Sequence, residues 1–281
     1  MILITGATGH VGSELVRQLD EGGQPVRVLV RDPARVARLP AHIERVVGDL
    51  ADPQTLAAAF AQVERVFLME AGHGQEQTAN AVAAAMTAGV RHIVNLSSIG
   101  VTLDPMPIMG KWHHDREEII RSSGMTATFL RPGNFMTNAL WWVPSIQAEG
   151  VVRDPVGPGR FAPIDPADIA AVAAVALTQD GHERQSYVLT GGSLLTAREQ
   201  TTMLAGVLGR DIEYVEQTPA EAAAAMAAHG APAGFVDAAR DLNELLRADR
   251  IAFVTDSVER LTGRAPASFE DWARRHAPAF G

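Results

Sequence analysis

The 281-residue chain has no cysteine, so neither disulfides nor thiolate metal sites are open to it. It has a single lysine, Lys111, and only two tyrosines, Tyr187 and Tyr214. The lysine shortage follows an arginine- and alanine-rich composition and carries no functional weight. No apolar run reaches the roughly 18 to 20 residues a membrane span needs. The start, Met1-Ile2-Leu3-Ile4-Thr5, lacks a basic leader and a cleavage site, which fits a cytoplasmic protein. A net charge of −9 speaks against nucleic acid as a partner, because such binding needs phosphates neutralised by Lys and Arg. The nine histidines form no HExxH and no cluster at ligand spacing, so no metal is expected. A homodimer is left open.

With 47% hydrophobic and 20% charged residues, the remaining expectation is an ordinary globular fold. Strand-like runs stand at Ile2–Thr5, Val26–Val30, Ile43–Val47, Val63–Met69, His92–Leu96 and Thr126–Leu130, with helical patterns between them. That alternation predicts an α/β fold, a doubly wound parallel Rossmann sheet with helices on both faces. Residues 1–131 read as the dinucleotide-binding core. Residues 132–281 read as the remaining strands plus a small, mostly helical C-terminal substrate-side lobe, the whole being one compact unit. In that part, Gly150–Gly159 reads as loop or short strand, and Asp165 as the cap of a helix opening at Pro166. Asp165 and Asp168 are therefore capping groups and not a catalytic pair. A strand is expected at Ser186–Leu189 and another near Ile212–Val215. Helices are expected near Ala197–Leu208, Pro219–His229 and Pro232–Leu246, and the tail Ser257–Phe280 reads as one final helix anchored by Trp272.

Thr5-Gly6-Ala7-Thr8-Gly9-His10-Val11-Gly12 spaces glycines between the first strand and the first helix. Gly6 permits the turn, Gly9 lets backbone approach a diphosphate, and Gly12 lets the helix pack close to the sheet. Free N–H groups at the helix start then hold phosphates. At the end of the second strand, where an acid would take a ribose 2′-hydroxyl, stands Arg31, with Arg35 one turn later. A guanidinium there suits a 2′-phosphate, so NADPH is expected in preference to NADH. Stacking of Arg31 on adenine is the competing reading, and the neighbouring Asp32 works against the phosphate.

The segments ITGATGHVG, VRDPAR, GDLADP, NLSSIG, SGMTATFLRPGNFMTN, PIDPADIA and GRAPASFEDWARRHAPAF, in this order, resemble the atypical short-chain dehydrogenase/reductase superfamily. The resemblance is to its NmrA-like branch, which includes NADPH:quinone oxidoreductases and azoreductase-like proteins, and it spans nearly the whole chain. It implies Asp49 and Leu50 at the adenine, Met69, Glu70 and Ser97 along the nicotinamide ribose, and Pro132, Asn134 and Phe135 beside the nicotinamide. Asp49 reads equally as a turn residue ahead of Asp52-Pro53, and Ser97-Ser98 as groups that satisfy backbone at a strand end.

The superfamily's usual tyrosine and lysine fall at Met109 and His113, so the proton relay of alcohol–ketone reduction is missing. Lys111 is two residues off and faces elsewhere. Quinone-reductase-like members carry histidine at the His113 position, and hydride transfer to a quinone yields a stabilised anion that water can protonate. His113 is the candidate catalytic residue for orientation or protonation, against the plain reading of a partly exposed helix-start residue. Met136, Trp141 and Trp142 are candidate walls for a flat apolar substrate, with one tryptophan read as core. The expected function is NADPH-dependent reduction of a quinone or other small aromatic acceptor. A non-catalytic redox sensor and a tailoring enzyme acting on polyketide-like rings stay as alternatives.

Overall fold

The computed structural model describes residues 1–37 and 39–281. In chain order the elements are β1 (Ile2–Ile4), α1 (His10–Glu21), β2 (Val26–Val30), β3 (Glu44–Val47), α2 (Leu56–Phe60), β4 (Arg65–Leu68), α3 (Glu76–Ala88), β5 (His92–Leu96), α4 (Ile108–Ser122) and β6 (Ala127–Pro132). There follow α5 (Val143–Glu149), β7 (Val151–Asp154), α6 (Pro166–Thr178), β8 (Ser186–Leu189), α7 (Ala197–Leu208), β9 (Glu213–Glu216), α8 (Pro219–Ala228), α9 (Ala233–Arg247), α10 (Ser257–Thr262) and α11 (Phe269–His276).

Seven strands form one sheet in the order β3-β2-β1-β4-β5-β6-β8. The pairings from β3 to β6 are parallel, with Ile2 opposite both Val26 and Arg65. The Phe129 N–H donates to Gln185 O and the Gly133 N–H to Leu189 O, both partners advancing together, so β8 is parallel too. The order reverses between β1 and β4, and such a switch point opens a crevice at the carboxyl ends of the strands. β1, β2 and β5 are buried along their whole length, as central strands covered on both faces are, and β1 is accordingly apolar throughout.

The chain divides into two compact units of similar length. One comprises Met1–Ser98, Trp112–Arg131 and Pro166–Val188; the other comprises Ile99–Lys111, Pro132–Asp165 and Leu189–Gly281. The first is built on Leu3, Phe60, Leu68, Ile93 and Phe129. In it α6 packs on α1, and α6 is apolar nearly all round, as a helix buried on most sides must be. The second has its own core of Met136, Val152, Leu204, Phe269, Trp272 and Phe280 beside the two-stranded β7–β9 sheet.

One expectation is overturned by local chemistry. The tail is not a single helix: α10 ends at Gly263 with φ +73°, and α11 starts afresh at the Ser268 cap, whose hydroxyl accepts from the Asp271 N–H at 3.1 Å. A left-handed glycine stops the first helix, and Pro266 between the two supplies no N–H. Trp272 does anchor α11, fully buried. Asp165 precedes α6 and forms an ion pair with Arg275 of α11, while Asp168 lies in the first turn of α6. Among the described residues no helix is long and apolar enough to cross a membrane.

Candidate functional site

The crevice at the switch point is held open by Thr5. Its hydroxyl donates to Met69 O at 2.9 Å and accepts from the Met69 N–H at 2.8 Å, tying the end of β1 to the end of β4. Gly6 follows at φ +68°, where a Cβ would lie 2.3 Å from Met69 Sδ. A Cβ on Gly12 would lie 2.2 Å from Gly6 O, so only glycine lets α1 sit this close to the turn. Gly9 is the N-cap of α1 and offers no side chain, and the first turn carries no acid. The helix therefore presents its first N–H groups and the positive end of its dipole unneutralised.

Around this turn lies a cleft of about 340 Å³. Gly6, Thr8, Gly9, Arg31, Arg35, Asp49, Leu50, Met69 and Glu70 all line it. Of the other glycine-loop residues, His10 is exposed on α1, Val11 belongs to the core and Gly12 packs on the turn. Asp32 also reaches the cleft, but its Oδ1 accepts from the Ala34 N–H at 2.9 Å and caps the short 3-10 turn Pro33–Val36. One carboxylate oxygen is thus spent on backbone, while Arg31 and Arg35 stand exposed in the lining. Asp49 combines both of its readings: it lines the cleft, and its Oδ1 accepts from the Ala51 N–H at 2.9 Å as a turn residue.

Glu70 is buried at the edge of the cleft. Burial pushes its carboxyl up, against the opposing effects of the Thr78 hydroxyl at 2.7 Å and the Arg116 charge. Asn95 Nδ2 donates to Glu70 Oε2 at 3.2 Å and to Leu68 O at 3.1 Å, a link between β5 and the end of β4 that no motif signals.

Ser97, at the end of β5, donates its hydroxyl to Glu117 Oε1 at 2.6 Å. Glu117 is 1% exposed and also accepts from Arg131 Nε at 2.9 Å and Arg121 Nη2 at 3.0 Å. Burial alone would raise this carboxyl, but the Arg131 and Ser97 bonds hold it below its ordinary value. His113, one turn earlier on α4, has its imidazole pushed down to about 4 by burial and by the nearby Arg116 charge. It is neutral at neutral pH.

In the second unit, Asn134 and Met136 flank the bridge of Phe135 to Ile164: Asn134 O accepts from the Ile164 N–H at 2.9 Å and the Met136 N–H donates to Ile164 O at 2.8 Å. Pro132, at the end of β6, is buried and precedes that bridge. Met136 is 2% exposed within the unit's core, where a thioether fills an irregular gap. Trp142 packs against the same core and donates to the buried Asp154, whereas Trp141 is 76% exposed. The tryptophans split between core and surface, as adjacent residues on a helical turn must.

A family described as NAD(P)H-binding matches residues 6–180. An NAD(P)H azoreductase of Xenophilus azovorans is 39% identical over 284 residues, covering 100% of this chain and 99% of that protein. A (4-alkanoyl-5-oxo-2,5-dihydrofuran-3-yl)methyl phosphate reductase of Streptomyces griseus is 40% identical, again covering 100% of this chain and 99% of that protein. Among solved structures, an NADPH-dependent quinone oxidoreductase from Escherichia coli complexed with NADPH superposes with a TM-score of 0.86 at 28% identity, covering 98% of this chain and 99% of that one.

Proposed function

The chain belongs to the NAD(P)H-binding family, and from that membership we propose that it is an NADPH-dependent oxidoreductase passing hydride to flat, apolar acceptors such as quinones or azo compounds. The observation that carries the reading is the cleft itself, where a turn with no room for a Cβ at Gly6 or Gly12 meets the exposed Arg31 and Arg35 just after β2. The backbone of Gly6–Gly12 and the start of α1 would hold the diphosphate. Arg31 and Arg35 would hold the 2′-phosphate, and Asp49 and Leu50 the adenosine. When bound, the nicotinamide supplies the hydride.

The chain's own contribution is orientation. Met69, Glu70, Ser97, Pro132, Asn134 and Phe135 are assigned to the nicotinamide side, and Met136, Trp141 and Trp142 to the acceptor. Neutral His113 orients the acceptor through hydrogen bonding, and water delivers the proton to the reduced product. Whole-length similarity to two reductases supports an enzyme over a redox sensor. We place it in the cytoplasm, acting on small molecules and not on nucleic acid or membranes. The test is NADPH oxidation over a panel of quinones, azo dyes and enones, with turnover expected for at least one class. Tight NADPH binding without turnover on any of them would return the protein to the sensor reading.

A further inference from the structure

The segment Ala71–Gln75, which leaves β4 and enters α3, is exposed at every residue. Its glycines contact nothing where a Cβ would sit, so it has no packing of its own to hold it. Ordering each such residue costs about 1 to 2 kcal/mol of backbone entropy. The order comes from α4. Arg116 Nη2 donates to Gly72 O at 2.7 Å, and its Nη2 and Nε both donate to Gly74 O at 3.3 Å. The Trp112 ring stacks on His73 with centroids 4.2 Å apart. Gln75 Nε2 donates to Asp115 Oδ2 at 3.0 Å. Trp112, Asp115 and Arg116 stand at i, i+3 and i+4, one face of the helix.

The segment starts on the cleft and leads into a helix whose first turn returns to it. Ala71 and Gln77 both line it, and Gln77 Oε1 accepts from the Ala71 N–H at 2.9 Å. Arg116 itself is 3% exposed, and its guanidinium is committed to carbonyl oxygens of the segment. A buried cation bonded to neutral carbonyls contributes geometry more than net stability, because its desolvation offsets much of the gain. The planar fork is what allows one side chain to bridge two carbonyls.

We propose that Arg116 is a positioning residue for the dinucleotide: its bridge to Gly72 and Gly74 holds Ala71–Gln75 and so fixes the part of the cleft wall that Ala71 and Gln77 supply. This rests on the reading of the cleft as an NADPH site. It adds a residue that does not itself line the cleft.

The experiment compares the parent chain with Arg116→Lys and Arg116→Gln. Hydrogen exchange is read on the ligand-free proteins, and Kd for NADPH, KM and kcat on the same preparations. Both variants are expected to exchange the Ala71 amide, which Gln77 holds, about tenfold faster, while β4 and α4 keep their protection. Kd and KM for NADPH should rise about tenfold, with kcat at saturation changing less than about twofold, because the wall acts on binding. Lysine keeps the charge but lacks the fork. Full rescue by Arg116→Lys would assign the effect to charge on Glu70 and overturn the proposal. So would unchanged exchange at Ala71, or an unchanged Kd once exchange there has risen. If Arg116 variants do not fold, Trp112→Ala loosens the same segment from its outer contact, with the same direction expected in exchange and Kd. A parent chain that protects the Ala71 amide yet fails to bind NADPH would sink the dinucleotide reading instead, leaving the clamp as plain structure.

Discussion

Ser97 and Glu117 meet as hydroxyl and buried carboxylate at 2.6 Å, joining the end of β5 to α4. Glu117 also takes the guanidinium of Arg131, Nη2 to Oε2 at 2.5 Å, from β6. One carboxylate thus ties two neighbouring strand ends to one helix. Removing it leaves Arg131, itself largely buried, without its partner. Breaking one side of a buried pair typically costs about 3 to 5 kcal/mol. Glu117→Gln is expected to lose about 3 kcal/mol in urea unfolding at neutral pH. A loss below about 0.5 kcal/mol, the range of an ordinary surface change, would refute the central placing of this carboxylate.

The proposed preference for NADPH turns on Arg31. Asp32 next door is aimed at the Ala34 N–H, and Arg31 and Arg35 together outnumber it in this part of the lining. A hydrogen bond to a charged group is worth about 1.5 to 3 kcal/mol, or roughly ten- to a hundredfold in affinity. Arg31→Ala should weaken NADPH by that factor and leave NADH within about twofold, measured by fluorescence titration. Equal losses for both nucleotides would assign Arg31 to adenine stacking.

Most of this framework was legible before any coordinates. The glycine spacing and the strand–helix alternation are local signals, and the Ser186–Leu189 and Ala197–Leu208 elements fall where their patterns put them. What stayed hidden depends on partners far along the chain. Arg116 and Glu117 look like charged residues on a solvated helix face until Gly72, Gly74, Ser97 and Arg131 are brought against them. The same holds for the division into units, since Ile99–Lys111 joins the second and Pro166–Val188 the first. Hydropathy periodicity carries no information about such returns of the chain. The lowering of the His113 imidazole to about 4 is equally hidden, because it comes from burial that only packing creates.

Stability should fall on acidification below neutrality. His92 and His113 are both lowered to about 4 from 6.5, mainly by burial. Between those values the unfolded chain binds protons that the folded one refuses, so lower pH favours unfolding. Asp154 works the other way. Its carboxyl is raised from 3.8 to about 6 by burial, so across that interval the folded chain holds a proton that the unfolded one lacks. Asp154→Asn removes this counterweight and should steepen the fall in urea midpoint between about pH 6.5 and about pH 4. A slope no steeper than the parent's would contradict the burial of Asp154. Turnover, by contrast, should show no inflection from His113 between about pH 6 and about pH 8, where the imidazole is already neutral.

The two tryptophans separate stability from recognition. Trp142 packs beside Ile146 and Val152 in the second core and is tied to Asp154, so its truncation opens a cavity and frees a buried carboxylate. Trp142→Ala is expected to cost about 3 kcal/mol or more. Trp141, 76% exposed, has little to lose on truncation, and Trp141→Ala should stay within about 0.5 kcal/mol of the parent. If it walls the acceptor, the same change raises KM for quinones several-fold and leaves Kd for NADPH alone. An aromatic surface lost from a flat ligand is worth about 1 kcal/mol, which corresponds to roughly fivefold. An unchanged quinone KM in a fully stable Trp141→Ala enzyme would take this residue out of the proposed acceptor site.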